Sequence, residues 1–311
     1  MGRMDALTLA DLKLFIRLAA LGRLSALARE RVVPVSQISR ALARIETQCG
    51  ARLMHRSTHA LTLTPEGERF LAHCLHLTQG VEDLEAEFSA GRSGPSGLVR
   101  VAASSVIARH LVVPSLPGLS AHYPGLRIDI QVSDQLVDLA REGIDIAIRT
   151  TRSPPGSSIA RPIGQVGRGL YAAPAYAQAH GLPQHPDELA HHTLVTNSAA
   201  THLNAWPFVV DGQPLRRDVQ GQWQTSETAL LLDMVAQGLG IGRVMTLVAQ
   251  PLLRAGRLLP VLPAYVDPQP LPLYAIVAGG RLRLPKLRAC IDYWSANWAG
   301  EEGLTATSSR P

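Results

Sequence analysis

Residues 22–67 read GRLSALARERVVPVSQISRALARIETQCGARLMHRSTHALTLTPEG. The apolar positions Leu24, Leu27, Ala28, Val32, Val33, Ile38, Leu42 and Ile45 suit two short amphipathic helices sharing one buried seam. The pattern breaks at Val33–Pro34, because proline disfavours helical backbone in the residue before it. The spacing predicts a helix from about Leu24 to Arg31, a tight turn, and a second helix from about Val35 to Gln48. In the second helix Ile38, Leu42 and Ile45 face inward, leaving Ser36, Gln37, Ser39, Arg40 and Arg44 on its other faces. Short hydrogen-bonding side chains and cations are the types that read base edges and grip phosphates in a major groove. Alternation and threonine content over Leu53–Thr58 and Ala60–Thr64 predict a small β-wing, with Arg56 placed to hold backbone phosphate.

The same seam also fits a helical hairpin in an ordinary core, with its charges on a solvated face. Charge distribution separates the two readings. Residues 1–65 carry 10 Arg and Lys against 4 Asp and Glu, whereas the other 246 residues carry 20 against 21. The whole basic excess therefore sits on the segment with the recognition-helix pattern, which is the electrostatic footprint of nucleic-acid binding.

In its ordered motifs this segment resembles the LysR-type transcriptional regulators. The matching residues are Leu12 and Phe15, Gly22 through Ala28, Ser36-Gln37-Ile38-Ser39, Leu42, Ile45-Glu46, Cys49-Gly50, Leu53-Met54-His55-Arg56 and Leu63-Thr64-Pro65-Glu66-Gly67. Pro34 and Val35 stand where the family usually has Ser and Gln, and Arg31 where it usually has Leu, so base preference rests on Ser36, Gln37, Ser39 and Arg40. The resemblance implies a winged helix-turn-helix that meets double-stranded promoter DNA through Ser25, Pro34, Val35, Ser36, Gln37, Ser39, Arg40, Arg44, Arg56 and Thr58.

Upstream, Thr8 with Asp11 three residues on reads as a capped helix start, and Leu12, Phe15, Ile16 and Ala19 form the inner stripe of that helix. Downstream, Thr64-Pro65-Glu66 opens a long helix to about Ala90. Phe70, Cys74, Leu77, Val81, Leu84 and Phe88 alternate there at spacings of four and three, an a/d seam. A helix lying on its own core would show the same stripe; the resemblance implies a dimerisation helix. Pairing two recognition helices about a two-fold axis lets a dimer read two half-sites. The Gly- and Ser-rich run Ser89–Gly97 reads as a hinge.

From Leu98 the texture becomes alternating. Strands are expected at Leu98–Ala102, Leu126–Val132, Ile144–Arg149, Gly169–Ala173, Thr193–Thr196, Gly240–Val244 and Leu273–Val277. Helices are expected at Val106–Ala121, Leu136–Glu142, Ser226–Gln237 and Pro285–Trp298, before a polar tail. This order implies a largely parallel sheet flanked by helices. Leu98–Val101, Asp145–Arg149, Gly238–Gly242 and Gly256–Leu258 also resemble the family's effector domain. That likeness implies two α/β lobes of the periplasmic-binding-protein type.

The expected class is thus α/β: a mostly α winged helix-turn-helix over 1–65, a linker helix and hinge over 66–97, an effector domain over 98–300 and a tail over 301–311. Lobe one takes 98–164 with 271–300, and lobe two takes 165–270. Ligands of open α/β sheets sit beyond strand ends against helix amino-termini, which points to Ser104, Ser105, Arg149, Thr150, Thr196, Asn197, Thr225 and Ser226 as lining a cleft for an anionic effector. Those hydroxyls also fit simple helix caps.

The remaining features exclude more than they suggest. Three scattered cysteines fit a reducing compartment, no apolar run approaches the roughly 18 residues of a spanning helix, and the start lacks a signal-peptide core. Cytoplasmic location at the nucleoid, without membrane contact, follows. The histidines at 180, 185, 191, 192 and 202 lack metal-ligand spacing, and no G-x-S-x-G elbow exists, so neither metal, cofactor nor catalytic residue is expected. A regulator is therefore expected; the resemblance adds a homodimer or homotetramer and contact with RNA polymerase. The alternative is a cytoplasmic small-molecule-binding protein or enzyme that uses the α/β cleft and carries a helical dimerisation arm.

Overall fold

The computed structural model describes residues 6–56, 61–135, 139, 142–154, 158–267, 269–278, 281–298 and 304–305. The chain divides into two compact units, Met1–Arg92 with Ala140–Gly143, and Ser93–Leu139 with Ile144–Pro311.

In the first unit, helix α1 (Leu9–Leu21) starts at a reciprocal cap. The Thr8 hydroxyl accepts from the Asp11 amide at 3.2 Å, and the Asp11 carboxylate accepts from the Thr8 amide at 3.1 Å. Helices α2 (Leu24–Glu30) and α3 (Val35–Cys49) follow, with Pro34 capping the second. Phe15, Leu18, Leu27, Ile38, Leu42 and Ile45 bury the common seam. Each contributes roughly 1.5–3 kcal/mol by leaving water.

A wing of β1 (Met54–Arg56) and β2 (Leu61–Leu63) pairs antiparallel, Met54 opposite Leu63. The Glu46 carboxylate of α3 anchors its entry by accepting from the amides of Leu53 (3.0 Å) and Met54 (3.2 Å). Helix α4 (Pro65–Ser93) begins where the Thr64 hydroxyl accepts from the Gly67 amide at 2.9 Å and donates to the Arg52 carbonyl at 2.8 Å. It extends three residues beyond the expected Ala90, so the chain breaks first at Gly94–Pro95 rather than at Ser89.

The second unit holds strands β3 (Gly97–Ala103), β4 (Leu126–Val132), β5 (Ile146–Thr150), β6 (Ser158–Val166), β7 (Arg168–Ala172), β8 (Leu194–Asn197), β9 (Ala205–Val210), β10 (Gln213–Asp218), β11 (Trp223–Thr225), β12 (Ile241–Met245), β13 (Leu259–Val261), β14 (Leu271–Ala278) and β15 (Leu304–Thr305). They form a six-stranded sheet in the order β15-β6-β14-β5-β3-β4, a five-stranded sheet β11-β8-β12-β7-β13, and a hairpin β9-β10. The expected largely parallel sheet is corrected. β3 runs parallel to β4 and β5, but β14 is antiparallel to β5 and β6, and β7 is antiparallel to β12 and β13. Hydrophobic runs mark buried strands without stating their direction. The chain leaves one sheet for the other at Gly167, so later strands enter against the first ones.

The single helix expected over Val106–Ala121 is α5 (Ser105–Ile107), a π-helical stretch Ala108–Val112 and α6 (Val113–His122). Pro114 and Pro117 each remove a helix donor, and the Ser115 hydroxyl supplies the Val112 carbonyl at 2.6 Å. The helix expected over Leu136–Glu142 falls largely outside the described residues. Helices α7 (Pro174–His180), α8 (Thr228–Ala236), α9 (Thr246–Arg254) and α10 (Pro285–Trp298) complete the unit. Two residues of the expected polar tail, Leu304 and Thr305, pair with β6.

Candidate DNA-reading face and effector cleft

On α3 the inward residues are Ile38, Leu42 and Ile45, so the pleat of the helix leaves Val35, Ser36, Gln37 and Arg40 exposed and Ser39 half-buried. Ser25 is exposed near the start of α2, and Pro34 is exposed ahead of α3. The Arg40 guanidinium folds back on its own helix, its Nε donating to the Ser36 carbonyl at 3.3 Å. Arg44 is committed differently: it pairs with the buried Asp11 carboxylate and ties α3 to α1. The side chain of Arg56 and all of Thr58 lie outside the described residues.

Along α4, Phe70 packs edge-to-face on Phe15 with centroids 4.9 Å apart, and Cys74 is fully buried in the same core. Both are spent within their own unit, against the expectation of a continuous intermolecular seam. Val81 is half-buried, while Leu77 and Leu84 are 55% and 54% exposed and present apolar surface. The Phe88 side chain lies outside the described residues.

In the second unit most of the expected effector hydroxyls serve the fold. The Ser104 hydroxyl caps α5 through the Ile107 amide, that of Thr196 accepts from the Gly221 amide, and that of Thr225 accepts from the Glu227 amide. Thr150 is half-buried at the end of β5, and Ser226 is exposed. Arg149 donates to the Gln135 carbonyl at 2.9 Å.

Two of the expected residues do meet across the cleft between the sheets. The Ser105 hydroxyl accepts from the Ala229 amide at 3.0 Å, at the amino-terminus of α8. Asn197 donates at 3.1 Å to Asp134, whose carboxylate also accepts from the Thr228 amide at 2.5 Å. Asp134 follows β4 of the six-stranded sheet, while Thr228 opens α8 beside the five-stranded one, so these bonds clasp the two lobes.

Next to the clasp lies a pocket lined by Asn197, Asn204, Trp206, Thr228, Arg168 and Arg243, with apolar walls from Val106, Leu231 and Val248. Burial pushes the Arg168 guanidinium down to about 10, partly offset by Asp134. Burial, then Arg168 and Arg152, push Arg243 down to about 9, partly offset by Asp267. Both stay cationic at neutral pH. Burial, then Arg168 and Arg149, hold His202 below its usual range.

Sequence reasoning missed Asp134, Arg168, Trp206, Thr228 and Arg243. The usable signal was an arginine inside each of two apolar strands, Arg168-Gly-Leu-Tyr-Ala and Ile-Gly-Arg243-Val-Met. A charge placed there is either paired or awaiting a ligand.

Residues 9–68 match the bacterial regulatory helix-turn-helix protein, lysR family, and residues 92–299 match the LysR substrate binding domain. The chain belongs to the LysR family of transcriptional regulators. An HTH-type transcriptional regulator of Xanthomonas campestris pv. campestris is 29% identical, with 92% of this chain and 84% of that one covered. The probable HTH-type transcriptional regulator LtrA of Klebsiella pneumoniae is 27% identical, covering 97% and 98%. The full-length structure of the Vibrio cholerae virulence activator AphB superposes with a TM-score of 0.62 at 27% identity, covering 93% of this chain and 99% of that one.

This LysR regulator thus combines a helix-turn-helix unit with a two-lobed α/β unit, and its curated relatives carry the names of transcriptional regulators. Burial pushes the Cys74 and Cys290 thiols up to about 12, far from nucleophile character. His180 and His192 pack on Tyr176, and His185 packs on Tyr265. No helix among the described residues is long and apolar enough to cross a membrane.

Proposed function

We propose that α3 enters the major groove of promoter DNA and reads it through Ser36, Gln37, Ser39 and Arg40, while an anionic small molecule bound in the lobe cleft sets how the regulator sits on that DNA. The observation that carries this reading is the exposed polar face of α3, opposite a fully buried Ile38–Leu42–Ile45 seam, within residues 1–65, which hold the chain's whole basic excess. Ser25, Pro34 and Val35 are exposed around the same helix start and would flank the groove. Arg44 serves that face from behind, through Asp11, by fixing the angle of α3.

The exposed Leu77 and Leu84 of α4 would pair two copies, so that two recognition helices read a pseudo-palindrome as a homodimer or a dimer of dimers. The working boundaries are 1–65 for DNA binding, 66–97 for the linker and 98–300 for effector binding. The protein acts in the cytoplasm and meets RNA polymerase at the promoter rather than catalysing a reaction. Control requires that the effector bind one lobe arrangement more tightly than the other.

The test is binding of the purified protein to the DNA upstream of its own gene, at two salt concentrations, against scrambled competitor. Phosphate neutralisation predicts a steep salt slope, and Arg40→Ala should weaken specific binding by roughly 1–3 kcal/mol. Absence of binding would return the α/β cleft, as a carrier or enzyme, to first place.

A further inference from the structure

Arg168 and Arg243 come from adjacent antiparallel strands. Arg168 lies opposite Met245, and Arg243 lies two residues before Met245, so both side chains leave one face of the five-stranded sheet as diagonal neighbours. Arg168 is only 9% exposed. The Nε of each arginine is buried without a partner, and neither guanidinium makes a hydrogen bond or ion pair among the described residues.

A buried and a half-buried cation side by side repel each other and have lost much of their water, which is costly unless an anion completes the site. The nearby acids, Asp134 beside Arg168 and Asp267 beside Arg243, do not do so. Asp134 directs its carboxylate at the Thr228 amide and the Asn197 side-chain amide, a helix amino-terminus and a neutral donor. Asp267 acts on Arg243 from a distance, but its hydrogen-bonded ion pair, at 3.2 Å, is with Arg152.

We propose that the effector is a small dianion, a short aliphatic molecule with two acid groups, one held by Arg168 and the other by Arg243. The planar guanidinium matches a carboxylate with two parallel bonds, so each arginine selects one acid group. Val106, Leu231 and Val248 offer apolar surface to a short hydrocarbon between the two ends. This inference rests on the reading of the cleft as the effector site, and the experiment separates the two.

Full-length protein is titrated with succinate and glutarate, and with butyrate and valerate as monoacids of matched chain length, at constant ionic strength. Thermal unfolding and tryptophan fluorescence, to which the pocket-lining Trp206 contributes, report binding. The same titrations are run on Arg168→Gln, Arg243→Gln, Arg168→Lys and, as a control, the exposed Arg216→Gln. The basic helix-turn-helix unit is unchanged in all of them, so anion binding there cancels.

The expected result is binding of a diacid at least about tenfold tighter than of its monoacid, lost in both Gln variants, weakened in Arg168→Lys and kept in Arg216→Gln. Equal, arginine-dependent binding of mono- and diacids would overturn the dianion while leaving the cleft as the effector site. A response that is the same in wild type and Gln variants would place binding elsewhere and overturn both. No response of the wild type to any of the four acids would also overturn the dianion.

Discussion

Replacing Val32 by glycine should stabilise the helix-turn-helix unit. Helix α2 ends with the Val33 amide bonded to the Ala28 carbonyl (3.0 Å) and the Val32 amide to the Arg29 carbonyl (3.3 Å). Helix α3 ends with the same pair of bonds, Ala51 to Glu46 and Gly50 to Thr47, both 3.2 Å. This closure needs a left-handed residue at its centre. At α3 that residue is Gly50, with φ 66°; at α2 it is Val32, with φ 55°.

An L-residue pays roughly 1–2 kcal/mol in that conformation, and a β-branched side chain lies at the unfavourable end. Val32 is 89% exposed, so its removal forfeits almost no burial. Glycine gives back about 0.5–1 kcal/mol through the greater freedom of its unfolded chain. The net gain is about 0.5–1 kcal/mol, which shifts the Tm of a unit this size by roughly 2–8 °C. Thermal and urea unfolding, with hydrogen exchange resolving the amino-terminal unit, would measure it. A neutral or destabilising Val32→Gly, with Gly50→Ala equally neutral, would refute the assignment of strain to this turn. The strained residue lies at the turn into the recognition helix, where strain is retained only when the surroundings hold it. Looser DNA binding by the more stable variant would mean that the strain sets the angle of α3.

Gly67→Ala should disrupt the same unit by about 3 kcal/mol or more, because a Cβ there would fall 1.9 Å from the Leu53 carbonyl oxygen, which is backbone and cannot swing away; its far-lower unfolding temperature is the readout. Asp11 gives an acid-dependent term: burial alone would raise its carboxyl, but hydrogen bonds from Thr8 and the Arg44 charge outweigh this and hold it below the usual range. Its contribution is therefore complete above about pH 4 and is lost as pH falls through the lowered native value. Asp11→Asn should destabilise at pH 7, and the gap to wild type should close in acid unfolding curves.

Legibility differed between the units for physical reasons. The helix-turn-helix could be read because one face of each short helix is apolar and its breaks carry Pro34 and Gly50, signals local in sequence. In the α/β unit, strands such as β8 and β12 were found from their apolar runs, but direction and partner are set by contacts far along the chain. The hairpin β9-β10 went unread even though Asp211-Gly212, both at positive φ, is the local signature of a two-residue turn. Among the expected effector hydroxyls, capping won at Ser104 and Thr225, as the local chemistry of Ser and Thr favours. Arg168 and Arg243 could not be paired by reading, since 75 residues separate them and only the β7–β12 register makes them neighbours.

That register also bears on how a ligand would act. The amino-terminus of α8 already holds an anion, the Asp134 carboxylate of the opposite lobe, so a ligand competing for that end must first break the clasp. The arginine end asks for no such displacement, since neither guanidinium has a partner to give up among the described residues. An anion bound at Arg168 and Arg243, both on the five-stranded sheet, therefore leaves the clasp intact and meets the other lobe only at Val106. It can bias one lobe arrangement only by the difference in its affinity for the two, and that difference is the whole of the signal it can send.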